Sequence, residues 1–163
     1  PVYERLAAAA GIPADRLLFL PQGRNDAENQ ARYRVVDVVL DPMPFGNVNG
    51  TIEPLAMGVP VVTLVGRRHG ERTSYSILSN LGATATIAHS GREYVDLAVR
   101  LAEDASFAEE VRGAIARGLG SSPLVDGPAY TRHLEAAYLA AIGEVAPGAL
   151  ADAGQASLRP SGD

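Results

Sequence analysis

The chain has 163 residues, 47% of them hydrophobic and 20% charged, which is typical of a globular domain with its own core and excludes a disordered chain. No apolar run approaches the roughly eighteen residues that a membrane-spanning helix needs. The formal net charge is −5, with acidic and basic residues interspersed, so charge gives no reason to expect a nucleic-acid partner. We therefore expect a cytoplasmic globular protein that binds neither membrane nor nucleic acid.

Along the chain, the hydrophobic pattern alternates short strands with helices. Helices are predicted at about residues 2–10, 26–35, from 51 onward, and at 70–81, 90–103, 106–119 and 128–145, and strands at 17–20, 38–40, 59–64 and 84–88. Asp26 and Thr51 are N-caps by residue type, and capping-box patterns begin at Ser90 and Ser106. This order predicts an α/β fold, a doubly wound parallel Rossmann-like sheet with right-handed crossovers, followed by C-terminal helices.

The organisation of the chain follows from the same pattern. Residues 1–145 are expected to form one domain, and residues 146–163 a disordered tail, because Ala, Gly, Ser and Pro dominate there without an apolar period. The chain opens at Pro1 rather than at methionine and is helical in pattern within a few residues. We therefore expect a piece of a longer protein, with the N-terminal part of the domain missing.

The most informative stretch covers residues 37–64, where two buried strands flank a turn and a short helix. The turn, Gly46 to Gly50, offers glycine and asparagine backbone and unpaired amides at the start of the helix that Thr51 opens. A helix N-terminus just past the carboxyl end of a parallel strand is a favourable place for phosphate. An ordinary strand-to-helix connection would have the same pattern, so both interpretations stay open here.

Four residues at this turn are candidate ligands. Glu53 is predicted in the first helical turn, where the helix dipole alone favours a carboxylate, but it could also accept hydrogen bonds from both ribose hydroxyls of a nucleotide. Thr51 could cap the helix or also donate to phosphate. Asn47 and Asn49 tolerate left-handed backbone, so turn formation alone could explain them.

The loop after the next strand, residues 66–72, carries three arginines and a histidine. It lies at the same edge of the predicted sheet, so Arg72 and His69 are possible anion ligands. A solvated charged loop is the commoner explanation of such a run.

Several chemistries are excluded or weakened by what the sequence lacks. There is no cysteine, and all fourteen basic residues are arginine, so no lysine can act as a phosphate clamp. No Asp-x-Asp pair, G-x-S-x-G, G-x-x-x-x-G-K-[ST] or G-x-G-x-x-G motif occurs. We therefore expect nucleotide binding without a metal and without a cofactor.

Three stretches resemble a known family. DVVLDPMPFGNVNGTIEPLAMGVPVVTLVG at residues 37–66, ERTSYSILSNLG at 71–82, and SSPL at 121–124 with the later Tyr130-Thr131 are similar in order and spacing to the C-terminal half of O-linked N-acetylglucosamine transferases and their bacterial relatives, glycosyltransferase family 41. The resemblance runs from about Val2 to Ile142. It implies a GT-B architecture, of which this chain would be most of the donor-binding half.

The resemblance also implies site residues. UDP would lie across the strand edge, its diphosphate held at Asn49, Gly50 and Thr51, and its ribose at Glu53. Backbone groups of the loop that contains Gln22 and Gly23 would recognise the uracil base. Arg32 would lie near the nucleotide, and Arg72 matches a basic position of the family. The family's catalytic residues would lie upstream of this chain.

The resulting hypothesis is a donor-binding fragment of an inverting, metal-independent protein glycosyltransferase that transfers GlcNAc or a hexose from a UDP-sugar to Ser/Thr or Asn. The protein acceptor would bind through the missing N-terminal lobe. The alternatives are another GT-B glycosyltransferase, a sugar-nucleotide epimerase, or a non-catalytic nucleotide-sugar-binding module. Product analysis with UDP-GlcNAc and UDP-glucose would separate the enzymes from one another, and the sequence upstream of Pro1 would separate an enzyme from a binding module.

Overall fold

The structure, a computed structural model, describes residues 2–145. Its helices are α1 Val2–Ala9, α2 Asp26–Ala31, α3 Asn49–Ala56, α4 Thr73–Leu81, α5 Gly91–Glu103, α6 Ala105–Ser121 and α7 Gly127–Val145, and its strands are β1 Val39–Leu40, β2 Val61–Leu64 and β3 Ile87–Ala88. Short 3-10 turns connect several of them, at Ala14–Arg16, Arg32–Val35, His69–Glu71, Thr84–Thr86 and Pro123–Val125. The expected disordered tail, residues 146–163, lies outside the described residues.

The three strands form a parallel sheet in the order β1-β2-β3. Val39 pairs with Val61, and Thr63 pairs with Ile87, so β2 is the central strand. Each crossover between consecutive strands contains a helix, α3 in the first and α4 in the second. The predicted α/β class with a parallel sheet and C-terminal helices is confirmed, and the carboxyl ends of β1 and β2 lie at one edge.

The core lies between the sheet and the helices that cover it. Val61 and Val62 of β2 are fully buried, as expected for a central parallel strand. Helix α6 adds Phe107, Val111 and Ile115, whose spacing of four residues places them on one face of the helix. Burying an aliphatic or aromatic side chain of this size contributes about 1.5–3 kcal/mol, so this stripe holds α6 in place.

Some local predictions are wrong. Residues 17–20 form no bridge with any strand in residues 2–145, and Leu18 is 80% exposed, so their apolar composition does not make them a strand here. The predicted strand at 84–88 is reduced to Ile87–Ala88, preceded by a 3-10 turn.

The predicted helix caps are partly wrong as well. Asn25, not Asp26, caps α2, because its side chain accepts from the amide of Glu28. Asp104, not Ser106, caps α6. The cap at Ser90 is confirmed, since its hydroxyl accepts from the amide of Glu93.

Within the described residues, no helix is long and apolar enough to span a membrane.

Candidate functional site

The candidate site lies where β1 and β2 end. The chain leaves β1 at Asp41, forms a turn over residues 42–48 and enters α3 at Asn49. The loop after β2, residues 65–72, comes to the same edge, and the Gly46 amide donates to the carbonyl of Gly70 at 3.1 Å. The two loops are therefore joined by a main-chain hydrogen bond.

Asp41 is buried, with 5% of its surface exposed, and its carboxylate holds the turn. One oxygen accepts from the hydroxyl of Thr63 on β2 at 2.8 Å, and the other accepts from the amide of Asn47 at 3.2 Å. Its main-chain carbonyl accepts from the hydroxyl of Tyr94 at 3.0 Å. Burial raises the pKa of Tyr94, and the negative charge of Asp41 adds to the rise.

Asn47 links the turn to the first turn of α3. Its side-chain oxygen accepts from the amide of Gly50 at 2.9 Å, and its carbonyl accepts from the hydroxyl of Thr51 at 2.7 Å. The Thr51 hydroxyl also lies 2.8 Å from that of Ser74 on α4. Because the Thr51 proton is used on Asn47, Ser74 is the donor in this pair.

The prediction that Thr51 is the N-cap is wrong. Helix α3 begins at Asn49, Val48 occupies the cap position without a side-chain bond, and Thr51 is fully buried inside the first turn. The unpaired amides are fewer than the sequence indicates, because those of Gly50, Thr51 and Ile52 have acceptors. Among residues 2–145, the main-chain amides of Val48 and Asn49 have no acceptor.

Glu53 lies in the second turn of α3, one turn later than predicted. Its carboxylate accepts from the hydroxyl of Tyr33 at 3.3 Å, which ties α3 to the 3-10 turn that follows α2. Burial raises the pKa of Tyr33, the charge of Glu53 and the hydrogen bond to it raise it further, and Arg32 opposes the rise. Glu53 is half-buried and can still face a ligand.

The residues that we expect to lie near the uracil base form a separate group. The amide of Gly23 donates to the side-chain oxygen of Asn29 at 2.8 Å, and Arg32 Nε donates to the carbonyl of the same Asn29 at 3.0 Å. A Cβ at Gly23 would lie 2.7 Å from the Asn29 amide nitrogen, so only glycine fits this approach. Gln22 is exposed beside it. The described contacts link this group to α3 through Tyr33, the neighbour of Arg32 in sequence.

The loop after β2 is organised by Glu71. Its carboxylate accepts from the amides of Arg67 and Arg68 at 2.8 and 3.1 Å, and these bonds, that from Arg68 first, lower the pKa of Glu71. Arg72 donates to the carbonyl of Gly66 at 3.1 Å and lies 4.5 Å from the ring centre of Tyr75. The backbone of the loop is therefore held in place, while the side chains of Arg67, Arg68 and His69 are exposed.

Two open grooves meet at Val48. One, of about 440 Å³, is lined by Asn47 and Asn49, together with Pro42 and Phe45. The other, of about 410 Å³, is lined by residues of α3, α4 and the second loop, among them His69 and Arg72. The structure therefore places the two possible anion ligands next to the turn.

The site residues proposed from the sequence fall into two groups. Asn47, Asn49, Gly50, Thr51 and the pair His69 and Arg72 share one edge of the sheet, with Glu53 one turn further along α3. The Gln22, Gly23 and Arg32 group is linked to it through Tyr33, whose hydroxyl donates to Glu53. Sequence reasoning did not single out the connecting residues, which are Tyr33, Asp41, Thr63 and Ser74. Only the position of Asp41, directly after a buried strand, could have indicated one of them.

Comparison with known proteins gives the site a family context. The family model described as Glycosyl transferase family 41 matches residues 1–134. SPINDLY of Hordeum vulgare, described as a probable UDP-N-acetylglucosamine–peptide N-acetylglucosaminyltransferase, is 36% identical over 128 residues, which are 78% of this chain and 14% of SPINDLY. The UDP-N-acetylglucosamine–peptide N-acetylglucosaminyltransferase of Caenorhabditis elegans is 31% identical over 126 residues, 77% of this chain and 11% of that protein.

A solved structure supports the same relationship. An O-GlcNAc transferase of Thermobaculum terrenum, solved as a lysine-to-methionine mutant, is similar with a TM-score of 0.74 and 34% identity, over 82% of this chain and 26% of that one. The fold is therefore that of part of an O-GlcNAc transferase, in agreement with the expected GT-B architecture. The chain spans about one seventh of the length of the SPINDLY proteins that it matches. By its sequence and its fold, this chain belongs to glycosyl transferase family 41.

Proposed function

We propose that this chain is the donor-binding part of an inverting, metal-independent protein glycosyltransferase, and that its turn at residues 46–53 holds the diphosphate of a UDP-sugar. The observation that carries the proposal is the coincidence of two independent results. The family match runs through this turn, and the turn has open main-chain amides at a helix N-terminus, beside a groove that both Val48 and Arg72 line.

The amides of Val48 and Asn49 are suited to bind a diphosphate oxygen. They lie at the positive end of α3, where the helix dipole acts as roughly half an elementary charge. Arg72 uses one of its five N–H donors on Gly66, so other donors remain for an anion. Such fixed donors stabilise charge that develops on a leaving diphosphate, and they do so without reorganisation.

Asn47 occupies the place that an anion would take at Gly50. Its side chain is exposed and bound through a single neutral hydrogen bond to that amide. A neutral bond of this kind contributes about 0.5–1.5 kcal/mol, whereas a bond to a charged acceptor contributes about 1.5–3 kcal/mol. A diphosphate would therefore displace the Asn47 side chain and gain a third amide.

The remaining roles follow the same proposal. Glu53 accepts from the ribose hydroxyls, and the loop containing Gln22 and Gly23, with Arg32, lies towards the base. The names of the plant and nematode relatives support a UDP-N-acetylglucosamine donor and a peptide acceptor. We propose a protein acceptor with a Ser/Thr or Asn side chain, bound by a second lobe that also supplies the catalytic residues.

Calorimetric titration of the 163-residue chain tests the proposal. We expect UDP, UDP-GlcNAc or UDP-glucose to bind with a Kd between about 1 μM and 1 mM, that is roughly −8 to −4 kcal/mol. ADP serves as the control for a diphosphate without uracil, and the chain alone should transfer no sugar to protein. Absence of UDP binding to the folded chain, or sugar transfer by this chain alone, would contradict the proposal.

A further inference from the structure

We infer that Asp41 is a positioning residue for the proposed donor site, acting through the turn and without touching the ligand. This inference rests on the proposed function and adds to it a residue that neither the family match nor the motif singled out. Asp41 connects a buried strand to an exposed turn through hydrogen bonds. Its carboxylate binds Thr63, which is fully buried on β2, and the amide of Asn47, which is exposed.

The hydrogen bonds continue from Asp41 into the site. The carbonyl of Asn47 accepts from the Thr51 hydroxyl, and this bond remains when a diphosphate displaces the Asn47 side chain from the Gly50 amide. The open amides of Val48 and Asn49 lie between these anchored residues. The direction in which those amides point is therefore set by where Asp41 holds Asn47.

The turn also lies tightly against Asp41 from the other side. Gly46 is buried, and a Cβ added there would come to 3.3 Å from the Asp41 carboxylate, 3.4 Å from the Ser74 hydroxyl and 3.5 Å from the Gly70 carbonyl. A methyl group at Gly46 would crowd the Asp41 carboxylate, so that the turn or the carboxylate must shift by a few tenths of an ångström while both acceptor oxygens of Asp41 are kept. This gives a second, independent way to disturb the same contact.

The chemistry of the contact predicts which substitution is tolerated. The Asn47 amide is a donor and needs an acceptor, whereas the Thr63 hydroxyl can either donate or accept. In Asp41→Asn, the amide oxygen can face Asn47 and the amide nitrogen can donate to Thr63, so both bonds survive. In Asp41→Ala, both are lost.

The test combines UDP calorimetry with amide hydrogen exchange on the 163-residue chain, with circular dichroism to confirm folding. We expect Asp41→Ala and Gly46→Ala to weaken UDP binding about tenfold or more, and Asp41→Asn to stay within about threefold of wild type. Gly120→Ala is the matched control, because its Cβ would meet open space on α6. Without ligand, the Asn47 amide should exchange faster in Asp41→Ala than in the wild-type chain.

The outcomes separate this inference from the proposed function. A wild-type chain that binds no UDP would overturn the proposed function, and the exchange of the Asn47 amide would still report on the anchor. A folded Asp41→Ala chain with wild-type exchange and wild-type affinity would overturn the positioning role. If Asp41→Ala does not fold, Gly46→Ala decides, and wild-type affinity in that variant overturns the role.

Discussion

Replacing Glu53 with glutamine is the sharpest test of the proposed ribose contact. The substitution keeps the size of the side chain but removes its charge and one of its two acceptor oxygens. If both ribose hydroxyls donate to the carboxylate, at least one charge-assisted hydrogen bond is lost. Such a bond contributes about 1.5–3 kcal/mol, so the Kd for UDP should rise about tenfold to more than a hundredfold.

The present partner of Glu53 does not weaken this expectation. Tyr33 donates to the carboxylate at 3.3 Å, which is longer than the usual range of about 2.5–3.0 Å for a bond between two oxygens. The bond is therefore weak, and a ribose hydroxyl can replace it at small cost. For the same reason, Tyr33→Phe should leave the Kd for UDP within about threefold of wild type.

A ligand–mutant cycle identifies the group that Glu53 contacts. Titration of the wild-type chain and Glu53→Gln with UDP and with 2′-deoxy-UDP isolates the coupling between the carboxylate and the 2′-hydroxyl. We expect the loss of the 2′-hydroxyl to weaken binding more in the wild-type chain than in Glu53→Gln. Glu109→Gln, an exposed site on α6, is the matched control. An unchanged Kd in folded Glu53→Gln, or an equal deoxy penalty in both chains, would refute the ribose contact.

Three further predictions concern stability. Gly118→Ala should lower the free energy of unfolding by about 1–3 kcal/mol in urea melts, because its Cβ would overlap the carbonyl of Leu81. Gly120→Ala, two residues later, is the control and should not destabilise the chain. Equal stabilities of the two variants would contradict the close packing at Gly118. The lowered pKa of Glu71 means that its stabilising effect is full above the ordinary pKa and is lost as pH falls through the lowered one, so Glu71→Gln should flatten the acid limb of a pH–stability curve. The pKa of Tyr33 is raised in the folded chain, so the free energy of unfolding should fall as the pH rises from the ordinary tyrosine pKa towards the raised one. Tyr33→Phe should reduce this loss of stability at alkaline pH. An unchanged alkaline limb of the pH–stability curve in Tyr33→Phe would contradict this role of Tyr33.

The sequence predicted which residues meet at this edge of the sheet, but not the hydrogen bonds that hold the turn. The two apolar strands and the Gly–Asn turn predicted where an anion would meet the sheet edge, because strand ends and helix starts have local signatures. The hydrogen bond from Thr63 to Asp41 could not be predicted, since the two residues are 22 positions apart and only the parallel pairing of β1 with β2 brings them together. Leu18 shows the opposite failure, in which apolar composition indicated a strand that has no neighbour to pair with in the described chain.

Thr51 and Ser74 show why residue type alone wrongly predicted that the Thr51 hydroxyl caps helix α3. A threonine after glycine is typical of an N-cap, yet both hydroxyls are buried and bond each other, joining α3 to α4. Thr51→Val should remove the donor to Asn47 and leave the buried Ser74 hydroxyl without its acceptor, which costs about 1–3 kcal/mol.

Ser74→Ala should cost less than Thr51→Val, because Thr51 keeps its bond to Asn47 when Ser74 is lost. Urea unfolding of the two variants therefore shows which of the two hydroxyl groups contributes more to the free energy of unfolding. The order of stabilities follows from the direction of the hydrogen bonds, with Ser74 donating to Thr51 and Thr51 donating to Asn47. A larger loss of stability in Ser74→Ala than in Thr51→Val would contradict this order.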